Sequence, residues 1–154
     1  QKFESWEKEL FYALRGNLSI KYSANAVIVK LGFTPGFGLT HTLPRIIGVQ
    51  KANLLFLTGR RIDGLTAHEW GLGDLLVDTA LVRDKAIELA AEIAINAPLA
   101  VTEVREQLRP GLADAVQAAT NIEGTAQFHL QRTADHKEGV KAVSERRPGN
   151  FKGI

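Results

Sequence analysis

The sequence predicts an α/β chain in which strands are short and few and helices fill the second half. Three observations lead there. The run Ala26-Val27-Ile28-Val29, within a loosely alternating stretch from Ile20 to Leu31, is β-branched and bounded by turn residues, as a buried strand would be. Directly after it, Gly32 to Gly38 holds three glycines and a proline in seven residues. From Asp84 onward, apolar residues recur at threes and fours, the spacing of amphipathic helices.

Each element follows in order. Phe3, Trp6, Leu10, Phe11 and Leu14, with charges between them, read as an amphipathic helix stopped by Arg15-Gly16-Asn17. After the strand comes the glycine turn, where a backbone can approach a ligand closely. Thr40 is a candidate N-cap for the next helix, with Leu43, Ile46 and Ile47 inward and Gly48 at its end. The free N–H groups of that helix point toward the turn and can hold an anion or a developing negative charge, although such a turn is more often no more than a turn. Val49 to Leu57 reads as a helix with Ala52, Leu55 and Phe56 inward, closed by Thr58-Gly59. Thr66 and Glu69 have capping-box spacing, with Gly71 as the stop. His68 and Glu69 could suggest an acid/base pair, yet adjacent helical residues point about 100 degrees apart, and the cap explains Glu69. Leu75 to Val77 reads as a brief strand.

The helices after it run from Asp84 to before Pro98, from Pro98 to a stop at Pro110-Gly111 with Leu99, Val104 and Leu108 inward, and from Leu112 to Leu130. Asp135 and Glu138 suggest an acidic capping box for the last one. Such a helical ending reads as a packing or assembly layer.

Composition narrows the function. The chain has 154 residues, 45% of them hydrophobic, which suits one domain burying about two-thirds of its unfolded surface. Nineteen Lys and Arg against 17 Asp and Glu, well interspersed, leave no basic stripe for nucleic acid. Without cysteine there is no disulfide framework and no thiol nucleophile. No run of about 18 apolar residues exists, and no signal-peptide pattern opens the chain, so the expectation is a soluble, cytoplasmic protein without membrane partners. His41, His129 and His136 share no metal spacing and read as surface or capping residues. A start at Gln1 and the lack of any Met suggest a sequence that is not a whole natural chain.

Four blocks resemble the crotonase superfamily of enoyl-CoA hydratases and isomerases: LGFTPGFGLTHTLPRIIG, LLFLTGRRIDGLTAHEWGLGDLLVD, AAEIAINAPLAVTEVR and TADHKEGVKAVSERRPGNFKG, in the family's order over Tyr22 to Gly153. The resemblance implies a crotonase (ClpP/crotonase-like) ββα spiral, only partly represented, with a C-terminal helical trimerisation region. It divides the chain into a spiral remnant with the acyl-pocket turn over 1–80 and a helical oligomerisation region over 81–154. It also implies acyl-CoA thioester substrates, an oxyanion hole of two backbone N–H groups for the thioester enolate, lyase or isomerase chemistry of fatty acid metabolism, and a homotrimer or a dimer of trimers. No cofactor is implied beyond coenzyme A as part of the substrate, and no metal. Ile28, Leu31, Gly32, Phe33, Pro35 and Gly36 are the expected acyl-pocket residues. Phe128 and Arg146 are the nearest matches to the family's CoA-contacting aromatic and basic residues. Arg45 is expected to form a structural ion pair.

The departures bear on the reaction. The family's N-terminal half is largely missing, including its adenine loop and its Gly-Gly-Gly loop, and residues are expected to be absent from the sequence between about 15 and 22. The family's second glutamate falls at Ile28, four residues before Gly32, and no acid occurs from Leu18 to Leu57. The catalytic residues are therefore unassigned. Three readings stay open: an acyl-CoA enzyme of crotonase type, a catalytically silent acyl-CoA-binding or assembly subunit, and a helical interaction module.

Overall fold

The computed structural model describes residues 26–154. The helix expected over Phe3 to Leu14 and the first part of the expected strand lie outside the described residues. Within them the elements are a 3-10 helix η1 (Ala26–Leu31), then α1 (Leu39–Ile47), α2 (Val49–Thr58), α3 (Gly64–Glu69), a short η2 (Thr79–Leu81), α4 (Val82–Ala94), α5 (Pro98–Gln107), α6 (Leu112–Leu130) and α7 (Ala134–Ser144). No β-strand occurs among the described residues.

The expected strand is thus overturned where it can be seen. Its last six residues coil into η1, which ends in a Schellman closure: Gly32 N donates to the Val29 carbonyl at 3.0 Å and Phe33 N to the Ile28 carbonyl at 3.1 Å. Gly32 takes φ 66, the left-handed conformation that this closure needs. β-propensity measures fit to a pleated neighbour; with none among the described residues, η1 instead packs on α2 and α7. Leu75 to Val77 likewise form an irregular connection rather than a strand.

The described chain falls into two compact units. One joins Ala24–Ile62 to Gly111–Ile154. Here α1 packs on α2 and on α6, while η1 packs on α2 and α7. Its core is Leu43, Ile47, Ala52, Leu55, Ile62 and Ala142, with Leu55 fully buried. Ile46, expected inward, is half exposed, and Phe56 is half-buried. Gly48 separates α1 from α2 with φ 83, closing one helix by donating to Pro44 O and opening the next by accepting from Ala52 N.

The other unit contains Asp63–Pro110. Ala67 and Leu72 are buried in it, whereas α4 and α5 bury no residue. Leu99, Val104 and Leu108, expected inward, are exposed.

Two caps also differ from expectation. Asp63, not Thr66 with Glu69, caps α3 by accepting from Thr66 N at 2.8 Å. The short carboxylate reaches that N–H directly, and the hydrogen bond holds the Asp63 carboxyl below its usual range. Thr133, not Asp135 with Glu138, caps α7 through His136 N at 3.0 Å. Gly111, expected as a stop, is the N-cap of α6 with φ 67.

Candidate functional site

The glycine turn lies between η1 and α1, and its geometry is set by three side chains far away in sequence. Glu123, in the middle of α6, is 3% exposed. Its Oε2 accepts from Gly38 N at 2.7 Å, and its Oε1 accepts from Thr40 N at 2.8 Å and from Thr40 Oγ1 at 2.5 Å. Thr40 is therefore not the N-cap of α1; Gly38 holds that position, with φ 70 and no cap of its own. The helix N-terminus that could hold an anion already holds the carboxylate of Glu123. Charge-assisted bonds of this kind are the stronger ones, and the positive end of α1 adds to them.

One turn further along α6, Gln127 Nε2 donates to Thr34 O at 2.9 Å and to Pro35 O at 3.0 Å. Glu123 and Gln127 are four residues apart, so they share one face of α6. Together they grip the turn's carbonyls and N–H groups from the same side. Gly38 must be glycine for a second reason: a Cβ there would stand 2.7 Å from Val116 Cγ1.

The third side chain is His136, at the start of α7. Its Nδ1 lies 2.8 Å from the Leu31 carbonyl oxygen. A carbonyl only accepts, so Nδ1 carries the proton. The same ring packs against Phe33, with centroids 4.9 Å apart and planes tilted by 32°. Backbones meet closely here. A Cβ on Gly32 would come 2.9 Å from Asp135 and His136 main-chain atoms, and one on Gly139 would come 2.5 Å from the Leu31 carbonyl carbon.

Ile28, Leu31, Gly32, Phe33 and Gly36 are half-buried and Pro35 is buried, all on one short path from η1 through the turn. Phe128 and Arg146 are not brought to that path. Phe128 is about half exposed, with the Arg132 guanidinium 3.5 Å over its ring, and Arg146 is exposed at the end of α7 with φ 54. Neither makes a hydrogen bond or ring contact with residues 28–38. Arg45 is exposed and forms no ion pair among the described residues. His68, expected at most as half of an acid/base pair, has its Nδ1 2.9 Å from Gly73 O and so braces the end of α3.

Four carboxylates stand in the helices that hold the turn, Asp114, Glu123, Asp135 and Glu138, and three of them are engaged, Glu138 by Arg147 and by Asn150 N. Besides Glu123, Asp135 accepts from Lys152 N at 2.7 Å and Gly153 N at 2.8 Å. No described group of three or more His, Asp and Glu residues is placed to hold a metal ion. Reading the sequence missed Glu123, Gln127 and His136. The first two had no clear signal, since the apolar stripe Leu112, Ala115, Val116, Ala119, Ile122, Ala126 and Leu130 runs past them unbroken. His136 had none, because its partners are a backbone carbonyl and a ring about a hundred residues away.

Residues 19–154 match the enoyl-CoA hydratase/isomerase family. The chain is 37% identical over 124 residues to YngF, a protein of Bacillus subtilis carrying that family's name, an alignment covering 80% of this chain and 48% of that one. It is 35% identical over 112 residues to a short-chain-enoyl-CoA hydratase of Clostridioides difficile, covering 73% and 72%. Among solved structures, a carnitinyl-CoA hydratase from Mycobacterium avium superposes with TM-score 0.77 at 27% identity, over 83% of this chain and 50% of that one. Apart from the Clostridioides protein, the chain spans about half the length of these relatives. The fold is accordingly crotonase-like, represented among the described residues by its helices.

Proposed function

The chain belongs to the enoyl-CoA hydratase/isomerase family, and from that premise we propose that it is an acyl-CoA-binding enzyme of that type, stabilising a thioester enolate in an oxyanion hole. The relatives named above as hydratases are named for CoA thioesters, and a third, 31% identical over 124 residues, is a 1,2-epoxyphenylacetyl-CoA isomerase of Escherichia coli. The reactions differ while the thioester stays the same. One observation carries the reading: the turn that corresponds to the family's acyl wall is pinned from behind by Glu123, Gln127 and His136. Ile28, Leu31, Gly32, Phe33, Pro35 and Gly36 therefore form a preorganised surface with an apolar face for an acyl chain. Fixing the wall in advance lowers the cost of ordering it around a ligand.

In this reading two backbone N–H groups polarise the thioester carbonyl as it becomes an enolate. Such donors, aimed where charge develops, are the largest electrostatic contribution in enzymes of this kind. Phe128 and Arg146 serve the CoA moiety of a neighbouring subunit in a homotrimer or dimer of trimers. Coenzyme A enters only as part of the substrate, and the protein works in the cytoplasm. Among the described residues, no helix is long and apolar enough to cross a membrane.

A second reading has its own observation. Ile28 stands where the family places a glutamate, and Glu123 and Asp135, on the supporting helices, are both engaged by backbone N–H groups. A catalytically silent acyl-CoA-binding or assembly subunit would need no more. Following the loss of the enoyl thioester of crotonyl-CoA, beside calorimetric titration with butyryl-CoA, separates the two. Turnover together with binding supports the enzyme, binding without turnover supports the silent subunit, and no binding sinks both.

A further inference from the structure

His136 is tied down at three points. Its backbone N–H donates to the Thr133 Oγ1 cap at 3.0 Å, its Nδ1 donates to the Leu31 carbonyl at 2.8 Å, and its ring lies 4.9 Å from that of Phe33. The first contact fixes where the side chain starts and the second fixes its χ angles. The third passes that order on to Phe33, whose backbone N–H is itself held by the Ile28 carbonyl. Phe33 is half-buried, and the His136 ring is the aromatic partner described for it. Gly32 and Gly139 admit the start of α7 to within backbone contact of η1 and so make this approach possible.

We propose that His136 is a positioning residue of the acyl wall, which sets the acyl chain length accepted there by holding the Phe33 ring and the Leu31 carbonyl at once. The proposal rests on the acyl-CoA reading given above. The ring of Phe33 is the bulkiest side chain among the six wall residues, and a longer acyl chain meets it where a short one does not. Freeing the ring therefore alters the ratio of affinities for long and short chains, whereas general loosening of the fold weakens both alike.

The test is calorimetric titration of the 154-residue chain with butyryl-CoA and decanoyl-CoA. His136→Asn keeps a donor for the Leu31 carbonyl and loses the ring; His136→Phe keeps a ring and loses the donor. Each is expected to shift the decanoyl-to-butyryl affinity ratio, His136→Asn by about fivefold, as the loss of one aromatic pair would. Phe33→Leu is expected to shift the ratio as well, and adding His136→Asn to it is expected to change nothing further, because the two residues act through one contact. Near-ultraviolet circular dichroism identifies the folded variants, and either His136 variant suffices. An unmoved ratio in the folded variants, or equal shifts from His136→Asn with and without Phe33→Leu, overturns the proposal while leaving the acyl-CoA reading intact. If the unaltered chain binds neither thioester, the acyl-CoA reading fails first and this inference fails with it.

Discussion

The two units of the chain use similar amphipathic patterns to opposite effect. In the unit formed by Ala24–Ile62 and Gly111–Ile154, helices enclose Leu43, Ile47, Ala52, Leu55 and Ala142. In the unit containing Asp63–Pro110, α4 and α5 follow the same periodicity and bury nothing, leaving Ile95, Leu99 and Leu108 more than 70% exposed. The period of a sequence chooses a face but not what covers it. Coverage in the first unit comes from features with no period: glycines that let backbones meet, and polar side chains that join a turn to a distant helix.

Substitutions of similar severity in the two units should differ accordingly. Glu123→Leu carries the largest expected effect, since it strands the buried Gly38 N and also removes the acceptor of the part-buried Thr40 N and hydroxyl; a loss of about 3 kcal/mol in urea unfolding is expected. Glu123→Gln, which keeps an acceptor, should lose less. Gly139→Ala places a Cβ 2.5 Å from the Leu31 carbonyl carbon and should cost up to about 3 kcal/mol by the same measurement.

The third effect depends on pH. The Arg147 guanidinium, followed by the N–H of Asn150, holds the Glu138 carboxyl down at about 2 from the usual 4.5. A depressed acid contributes stability that is complete above its unfolded value and lost as pH falls through its folded one. The thermal midpoint should therefore fall between about pH 4.5 and pH 2, and Glu138→Gln should flatten that part of the profile. The smallest effect belongs to the open unit: Leu99→Gln, at a side chain 83% exposed, should change stability by less than about 0.5 kcal/mol. A loss above about 2 kcal/mol there would show that the α5 face is covered in solution, and the contrast between the units would collapse.

What could be read from the sequence follows the range of the interactions. The helices from Val49 to Thr58, from Pro98 and from Leu112 to Leu130 were legible because a helix is recorded in its own spacing. The glycine turn was legible too, since φ 66 at Gly32 and φ 70 at Gly38 require that residue locally. The strand at Ala26 to Leu31 was misread because β-branched residues take the form that their neighbours offer. Capping boxes at Thr66 and Asp135 were misread because each had a competing acceptor three or two residues upstream, Asp63 and Thr133. At the site, the resemblance suggests which residues line the turn, but not the side chains that hold it. The N–H groups at the start of α1, which a sequence can only mark as able to hold an anion, are taken by Glu123, 85 positions away from Gly38, a distance that no local pattern spans.

Residues 152–154 are tied into the same arrangement. The Ile154 carbonyl accepts from Ala134 N at 2.9 Å and Asp135 N at 3.2 Å, while Asp135 returns two bonds to Lys152 and Gly153. These four contacts fasten the first turn of α7, the turn that presents His136 to Phe33. Removing residues 152–154 would thus act at a distance, loosening the turn that carries His136.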